Sequence, residues 1–112
     1  MKKKITYKNF IKWLKKEKNA NKKFCVGNVN SCPIAAFILD VTGGKLADAD
    51  PDYLEVSSDF IRNEYGQLCH DGKILVDMPT PPWAKKFMQN FDETFEGKKK
   101  VSGKNIIEQL GL

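Results

Sequence analysis

Cys32 is the side chain best placed for chemistry in this sequence. It stands in Ser31-Cys32-Pro33. Proline suits the first turn of a helix and serine its cap, so the triplet reads as a helix start. Free amides and the helix dipole at such a start lower a thiol's pKa, and the same amides can hold a phosphate. A nucleophilic thiol also needs a base. The sole histidine is His70, and nothing in the spacing brings the two together, so a buried structural cysteine is the expectation. Cys25, Cys32, Cys69 and His70 could in principle serve zinc. The first pair is seven residues apart and the last two are adjacent, whereas structural zinc draws on pairs two to four apart. Asp48, Asp50 and Asp52 alternate as in a calcium loop. However, Tyr53 stands where glycine is needed, Asp59 replaces the final glutamate and Pro51 intrudes. There is no glycine-rich phosphate loop, dinucleotide fingerprint, serine elbow or carboxylate pair. These absences predict a chain with no catalytic residue, no metal and no cofactor: not an enzyme.

Binding chemistry is better supplied. Ser31 and Cys32 offer the amides of the helix start, Tyr53, Tyr65 or Trp83 could stack a base, and Arg62 could reach a phosphate. Trp83 has a competing reading as a core anchor beside Ala84 and Phe87. Lys8, Lys12, Lys15 and Lys16 gather on one flank of a predicted helix as a basic patch. The formal net charge of +5 conceals strong segregation. Residues 1–23 hold ten lysines against Glu17, residues 24–96 hold five basic side chains against twelve acids, and residues 97–112 hold four lysines against Glu108. Clustered cations attract polyanions, although a lysine-rich solvated face is the plainer reading. Arg62 is the only arginine, which argues against reading of DNA sequence, because base edges are read chiefly by arginine.

The elements that must position these groups can be drawn from periodicity. Residues 6–18 read as an amphipathic helix capped by Thr6, with Tyr7, Phe10, Ile11 and Leu14 on one face and Trp13 at the far edge of the polar side. Residues 24–26 look extended. Ser31 caps a helix running to Val41 that is apolar nearly all round and stopped by Gly43-Gly44, hence central. Residues 45–52 read as an acidic loop, 53–57 and 73–77 as strands, and Ser58–Tyr65 as a short helix, with Asp71-Gly72 as a hairpin turn. Thr80 caps the next helix, whose stripe is Ala84, Phe87, Met88, Phe91 and Phe95, and Ser102 caps the last one. The predicted core joins Phe10, Leu14, Phe37, Ile38, Val56, Val76, Phe87, Phe91 and Ile107.

The fold class that follows is α+β: one small domain over 1–112, about four helices packed on a short sheet of two to three strands. Residues 1–4 form a basic extension and 97–101 a basic linker. With 112 residues, 41% hydrophobic and 29% charged, one core is expected without disulfides. No apolar run approaches the roughly 20 residues of a membrane span. Lysines interrupt any signal-peptide pattern after Met1, and three cysteines suit a reducing compartment, so the expected location is cytoplasmic, with no membrane partner.

Ser31-Cys32-Pro33-Ile34-Ala35 opening a helix, Pro82-Trp83-Ala84 followed by Phe87, and Val101-Ser102-Gly103 opening a terminal helix resemble a group of small uncharacterised bacterial and phage proteins. The resemblance implies a compact, cytoplasmic, mobile-element-associated accessory protein and supplies no catalytic residues. The expected function is a non-catalytic binder, phage-encoded, that sequesters an anionic nucleotide-like signal and so inhibits host antiviral defence. Two alternatives stay open: a protein–protein inhibitor of a host enzyme that handles nucleic acid, and a non-specific nucleic-acid-binding accessory protein.

Overall fold

The computed structural model describes residues 4–112; the remainder of the expected basic extension, 1–3, lies outside them. The chain is an α+β domain. In order it forms α1 (Tyr7–Lys15), α2 (Glu17–Ala20), β1 (Lys23–Cys25), α3 (Pro33–Thr42), β2 (Leu46–Ala49), β3 (Tyr53–Arg62), β4 (Leu68–Pro79), α4 (Pro82–Thr94), β5 (Lys100–Ser102) and α5 (Gly103–Leu110). β2, β3 and β4 make one antiparallel sheet in that order, and β1 pairs with β5 in a separate two-stranded ribbon.

The helix caps decide where several elements begin. Thr6 caps α1, its Oγ1 accepting the Asn9 amide at 3.2 Å, and Ser102 caps α5 through Asn105 at 3.2 Å. α3 starts one residue later than expected: Cys32, not Ser31, is the cap, its Sγ accepting from the Ala35 amide at 3.5 Å. Thr80 is not the cap of α4. Its hydroxyl donates instead to the Asp50 carbonyl at 2.6 Å, tying α4 to the β2–β3 turn, and Pro81 takes the cap position.

The first predicted helix breaks in two. Lys16 is extended, and the buried Asn19 amide donates to the Trp13 carbonyl at 2.7 Å, satisfying the end of α1. The break lets α2 lie against the start of α5, where a β-carbon on Gly103 would run into the Asn19 carbonyl and the Ala20 backbone. Trp13, expected at the edge of the polar side, is 5% exposed. Its ring packs 5.6 Å from Phe37 and 6.0 Å from Phe24, and its Nε1 donates to Asp40 at 2.7 Å. Amphipathic periodicity registers one face, whereas here a second partner covers the flank.

The core is aromatic. Phe10 sits between Phe37 at 5.3 Å and Phe87 at 4.8 Å, both edge to face, a geometry favoured by ring quadrupoles. Phe87, Phe91 and Phe95 continue it along α4 at 5.8 and 5.3 Å. Eight of the nine expected core residues are buried; Ile107 is only partly so, and Ile106 is the fully buried side chain of α5.

The largest departure lies in the sheet. The expected acidic loop over 45–52 contains β2, and the expected linker over 97–101 runs into β5, whose Lys100 pairs with Cys25. The expected helix over Ser58–Tyr65 is strand and turn. Asn63 outweighs the Ser57 and Ser58 capping signals: its Oδ1 accepts the Tyr65 and Gln67 amides, both at 2.9 Å, and Gly66 takes φ +76°. That turn joins two long strands. Asp71-Gly72 is therefore no hairpin turn but part of an irregularity in β4. Pairing passes from Val56↔Val76 to Ser57↔Ile74 and then to Asp59↔Asp71. Gly72, at φ +71°, lies so close to Ser58 that a β-carbon would meet its Oγ, which accepts the Lys73 amide at 2.8 Å. Bulges of this kind bend a strand and re-aim side chains.

Candidate functional site

Period-two alternation in the β1–β5 ribbon sends Phe24 and Val101 inward, 1% and 3% exposed, and leaves Lys23, Cys25 and Lys100 on the other face. That face forms one wall of a cleft of about 810 Å³. Lys18 and Lys22 from the α2 region, Asn30 and Ser31 ahead of α3, and Gly43-Gly44 after it complete the lining. Four lysines thus face a single carboxylate, Asp40. Asp40 is engaged twice, by Trp13 Nε1 at 2.7 Å and by Lys18 at 3.8 Å. Among the described residues Lys22, Lys23 and Lys100 have no carboxylate within ion-pair distance. A volume in this range suits a small ligand, and the lining suits an anion.

The residues singled out from sequence do not converge. Ser31 lines the lysine cleft. Cys32 lines a different cavity of about 130 Å³ with Pro33, Phe87, Met88 and Phe91. It is 8% exposed, and burial pushes its thiol above the ordinary range, outweighing the Ala35 and Ile34 amides that act the other way. Burial thus outweighs the acidifying effect of the helix start, and Cys32 is the buried cysteine expected from the sequence. Trp83 lines a third groove with Tyr7 and Leu112, its ring 5.6 Å from Phe10 and 5.9 Å from Tyr7, which is the core-anchor arrangement. Tyr53 opens β3, and the Asp77 carboxylate holds its phenol above the ordinary range. Arg62 spans the hairpin end and donates to the Gly66 carbonyl at 2.8 Å, while Tyr65 at the tip is 79% exposed. Lys8, Lys12, Lys15 and Lys16 are exposed on α1 and its end, and none of them lines the cleft.

A second arrangement gathers residues that the sequence scattered. Asp48 on β2 and Glu55 on β3 are cross-strand partners. His70 on β4 pairs in register with Phe60, which a straight strand would set about 17 Å from Glu55. The Ser57–Gly72 irregularity bends the hairpin and returns the imidazole to the inner sheet. There its Nε2 lies 2.8 Å from Asp48 Oδ2 and 3.4 Å from Glu55 Oε1. Its Nδ1 lies 2.6 Å from Ser57 Oγ. Asp48, Glu55 and His70 each offer one ligand atom, all within 4.8 Å of one another. Proximity in the sequence groups His70 with Cys69 and Asp48 with Asp50 and Asp52 instead. In the fold the three cysteines are free, and Asp50 turns its carboxylate to the Asp52 and Tyr53 amides at 2.8 Å. The available signal was the symmetry of Asp48 and Glu55 about Asp50-Pro51-Asp52-Tyr53, visible once that stretch is read as a hairpin turn.

No helix among the described residues is long and apolar enough to cross a membrane. No protein-family model, curated protein or solved structure matches the chain.

Proposed function

We propose that the protein is a non-catalytic binder of a small phosphorylated ligand of the nucleotide type, held through its phosphates in the lysine cleft, and that it acts stoichiometrically by sequestration. One observation carries this reading: four lysines from two stretches of the chain, residues 18–23 and residue 100, line a cleft of about 810 Å³ with Asp40 as the sole acid. Lysines on a flexible surface contribute little individually. Converging on a concave wall, they supply a focused positive field. The lining recognises phosphate rather than base, because Trp13 and Phe24 present buried rings and offer no exposed stacking face. Sequestering such a signal would blunt a host antiviral defence that depends on it.

Isothermal titration with pyrophosphate, ATP and cyclic dinucleotides tests the reading. The expected result is saturable one-to-one binding to a member of this set, weakened at least tenfold in a Lys23→Gln/Lys100→Gln double variant. Affinity should also fall with added salt. Absence of binding across the set, or binding untouched by the double variant, contradicts it. Co-expression with nucleotide-signalling defence systems and plaque counting addresses the biological arm: unchanged phage resistance rejects sequestration as the role.

A second reading has its own support. The outer part of the β3–β4 hairpin exposes Phe60, Ile61, Tyr65 and Leu68, a set of large apolar side chains gathered at one end of the sheet, and exposed apolar patches mark protein–protein contacts. That favours the protein-partner alternative, with the hairpin as the docking element. Copurification with wild type but not with an Ile61→Ser/Tyr65→Ser variant would support it over the ligand reading.

A further inference from the structure

We infer that Asp48, Glu55 and His70 form a binding site for one divalent transition-metal ion of the zinc type, with Ser57 orienting the imidazole. The inference does not depend on the lysine cleft.

Hydrogen-bond directions carry the argument. Ser57 Oγ has a single proton, and it lies 2.7 Å from the Asp59 carbonyl oxygen, which can only accept. The hydroxyl proton is therefore committed to Asp59. At 2.6 Å from the ring, Oγ must in turn accept from His70, so Nδ1 carries a proton. The opposite nitrogen, Nε2, faces two carboxylate oxygens at 2.8 and 3.4 Å. A bare lone pair aimed at two ionised carboxylates would be repulsive. The position calls for a cation between them, which is either a proton on Nε2 or a metal ion.

The tautomer set by Ser57 is the one a metal requires: Nδ1–H held by a hydrogen-bonding partner and an Nε2 lone pair free to coordinate. Ligand-atom spacing fits as well. A tetrahedral ion with bonds near 2.0–2.1 Å places its ligands about 3.3 Å apart, and the two separations from Nε2 bracket that value. Further support comes from the two carboxylates. Like charges directly opposite on antiparallel strands repel, yet Asp48 and Glu55 occupy such a pair, and a shared dication removes the repulsion. Side-chain exposures of 16% for His70, 37% for Asp48 and 35% for Glu55 leave room for an ion to enter and for a water to complete its coordination. One imidazole and two carboxylates suit zinc or another first-row dication better than calcium, which prefers six to eight oxygens.

Because His70 is the only histidine, the ring reports on the site without any mutation. The experiment is a long-range ¹H–¹⁵N spectrum of the full chain, stripped with chelator and titrated with Zn²⁺ alone. The expected result is saturation at one equivalent, with the Nε2 signal moved to a coordinated position and Nδ1 still protonated. Parallel calorimetry on a Ser57→Ala variant should show affinity lowered about 10–100-fold, the usual cost of losing an outer-shell partner. Glu55→Gln and His70→Gln should abolish binding. An imidazole spectrum unchanged by Zn²⁺ overturns the inference and leaves Nε2 occupied by a proton. It is overturned equally if zinc binds but the ring is silent, since the ion would then sit on thiols.

Discussion

The side-chain amide of Asn30 donates to the Asp48 carboxylate and, at 3.0 Å, to the neighbouring Ala47 carbonyl. Asn30 also lines the lysine cleft, so one residue joins the wall of the cleft to the carboxylate–histidine cluster on the sheet. Asn30→Ala removes both donors and leaves Asp48 held by His70 alone. Losing net hydrogen bonds of this kind costs about 1–2 kcal/mol, readable as a lower urea midpoint. A variant as stable as wild type would show that Asn30 does not organise this corner.

The Ser57–Gly72 irregularity is what returns His70 to the inner sheet, and it depends on a glycine. Gly72→Ala forces a β-carbon into the left-handed region, worth about 1–2 kcal/mol, and against Ser58 Oγ as well. We expect the melting temperature to fall and the His70 ring signals to shift. Gly66→Asn is the matched control: φ is +76°, nothing lies within 4 Å of the added carbon, and asparagine tolerates this conformation. It should be nearly neutral. Equal effects from the two substitutions would refute the role given to Gly72.

Phe87 touches both Phe10 and Phe91 and is 5% exposed. Phe87→Ala is expected to cost about 3–5 kcal/mol through lost contacts and the cavity left behind, a large part of a small domain's stability. A loss below about 1 kcal/mol by denaturant unfolding would be incompatible with α4 facing the core.

Cys32 should be the last cysteine to react. Alkylation requires thiolate, and burial holds the Cys32 proton in place, whereas Cys25 and Cys69 are partly exposed. Timed iodoacetamide labelling read by peptide mass should modify Cys25 and Cys69 first. The same shift has a sign for stability. The folded thiol titrates above the unfolded value near 9.0, so its contribution is complete below about pH 9 and is lost as pH rises through the folded value. Cys32→Ala should flatten the alkaline edge of the stability profile. Early labelling of Cys32, or an unchanged edge, would contradict its burial.

Much of the helical half was legible in the residues. The stripe of α4, the apolar α3 with its Gly43 stop, and the Thr6 and Ser102 caps follow from periodicity and capping chemistry, which are local. The sheet was less legible because its signals compete. Ser57 and Ser58 look like caps, but Asn63 and Gly66 make a better turn, and a bulge at Ser58 and Gly72 interrupts the strand alternation. Both candidate sites depend on that non-local part. Asp48, Glu55 and His70 meet only through the pairing of β2, β3 and a bent β4. Lys23 and Lys100, far apart in the chain, meet only because β1 pairs with β5. Ser31, expected as the cap of α3, yields that position to Cys32 and lines the cleft.

The central claim is that the lysine cleft binds the phosphates of a small ligand, and amide shift mapping tests it most directly. A ¹H–¹⁵N spectrum recorded during titration with pyrophosphate, and then with the best-binding nucleotide, locates the anion on the surface. The account predicts saturable shifts concentrated at Lys22, Lys23, Asn30, Ser31, Gly43, Gly44 and Lys100, with Lys8, Lys12 and Lys15 unmoved. Shifts centred on the α1 lysines, or small unsaturating shifts spread over every exposed lysine, would contradict it.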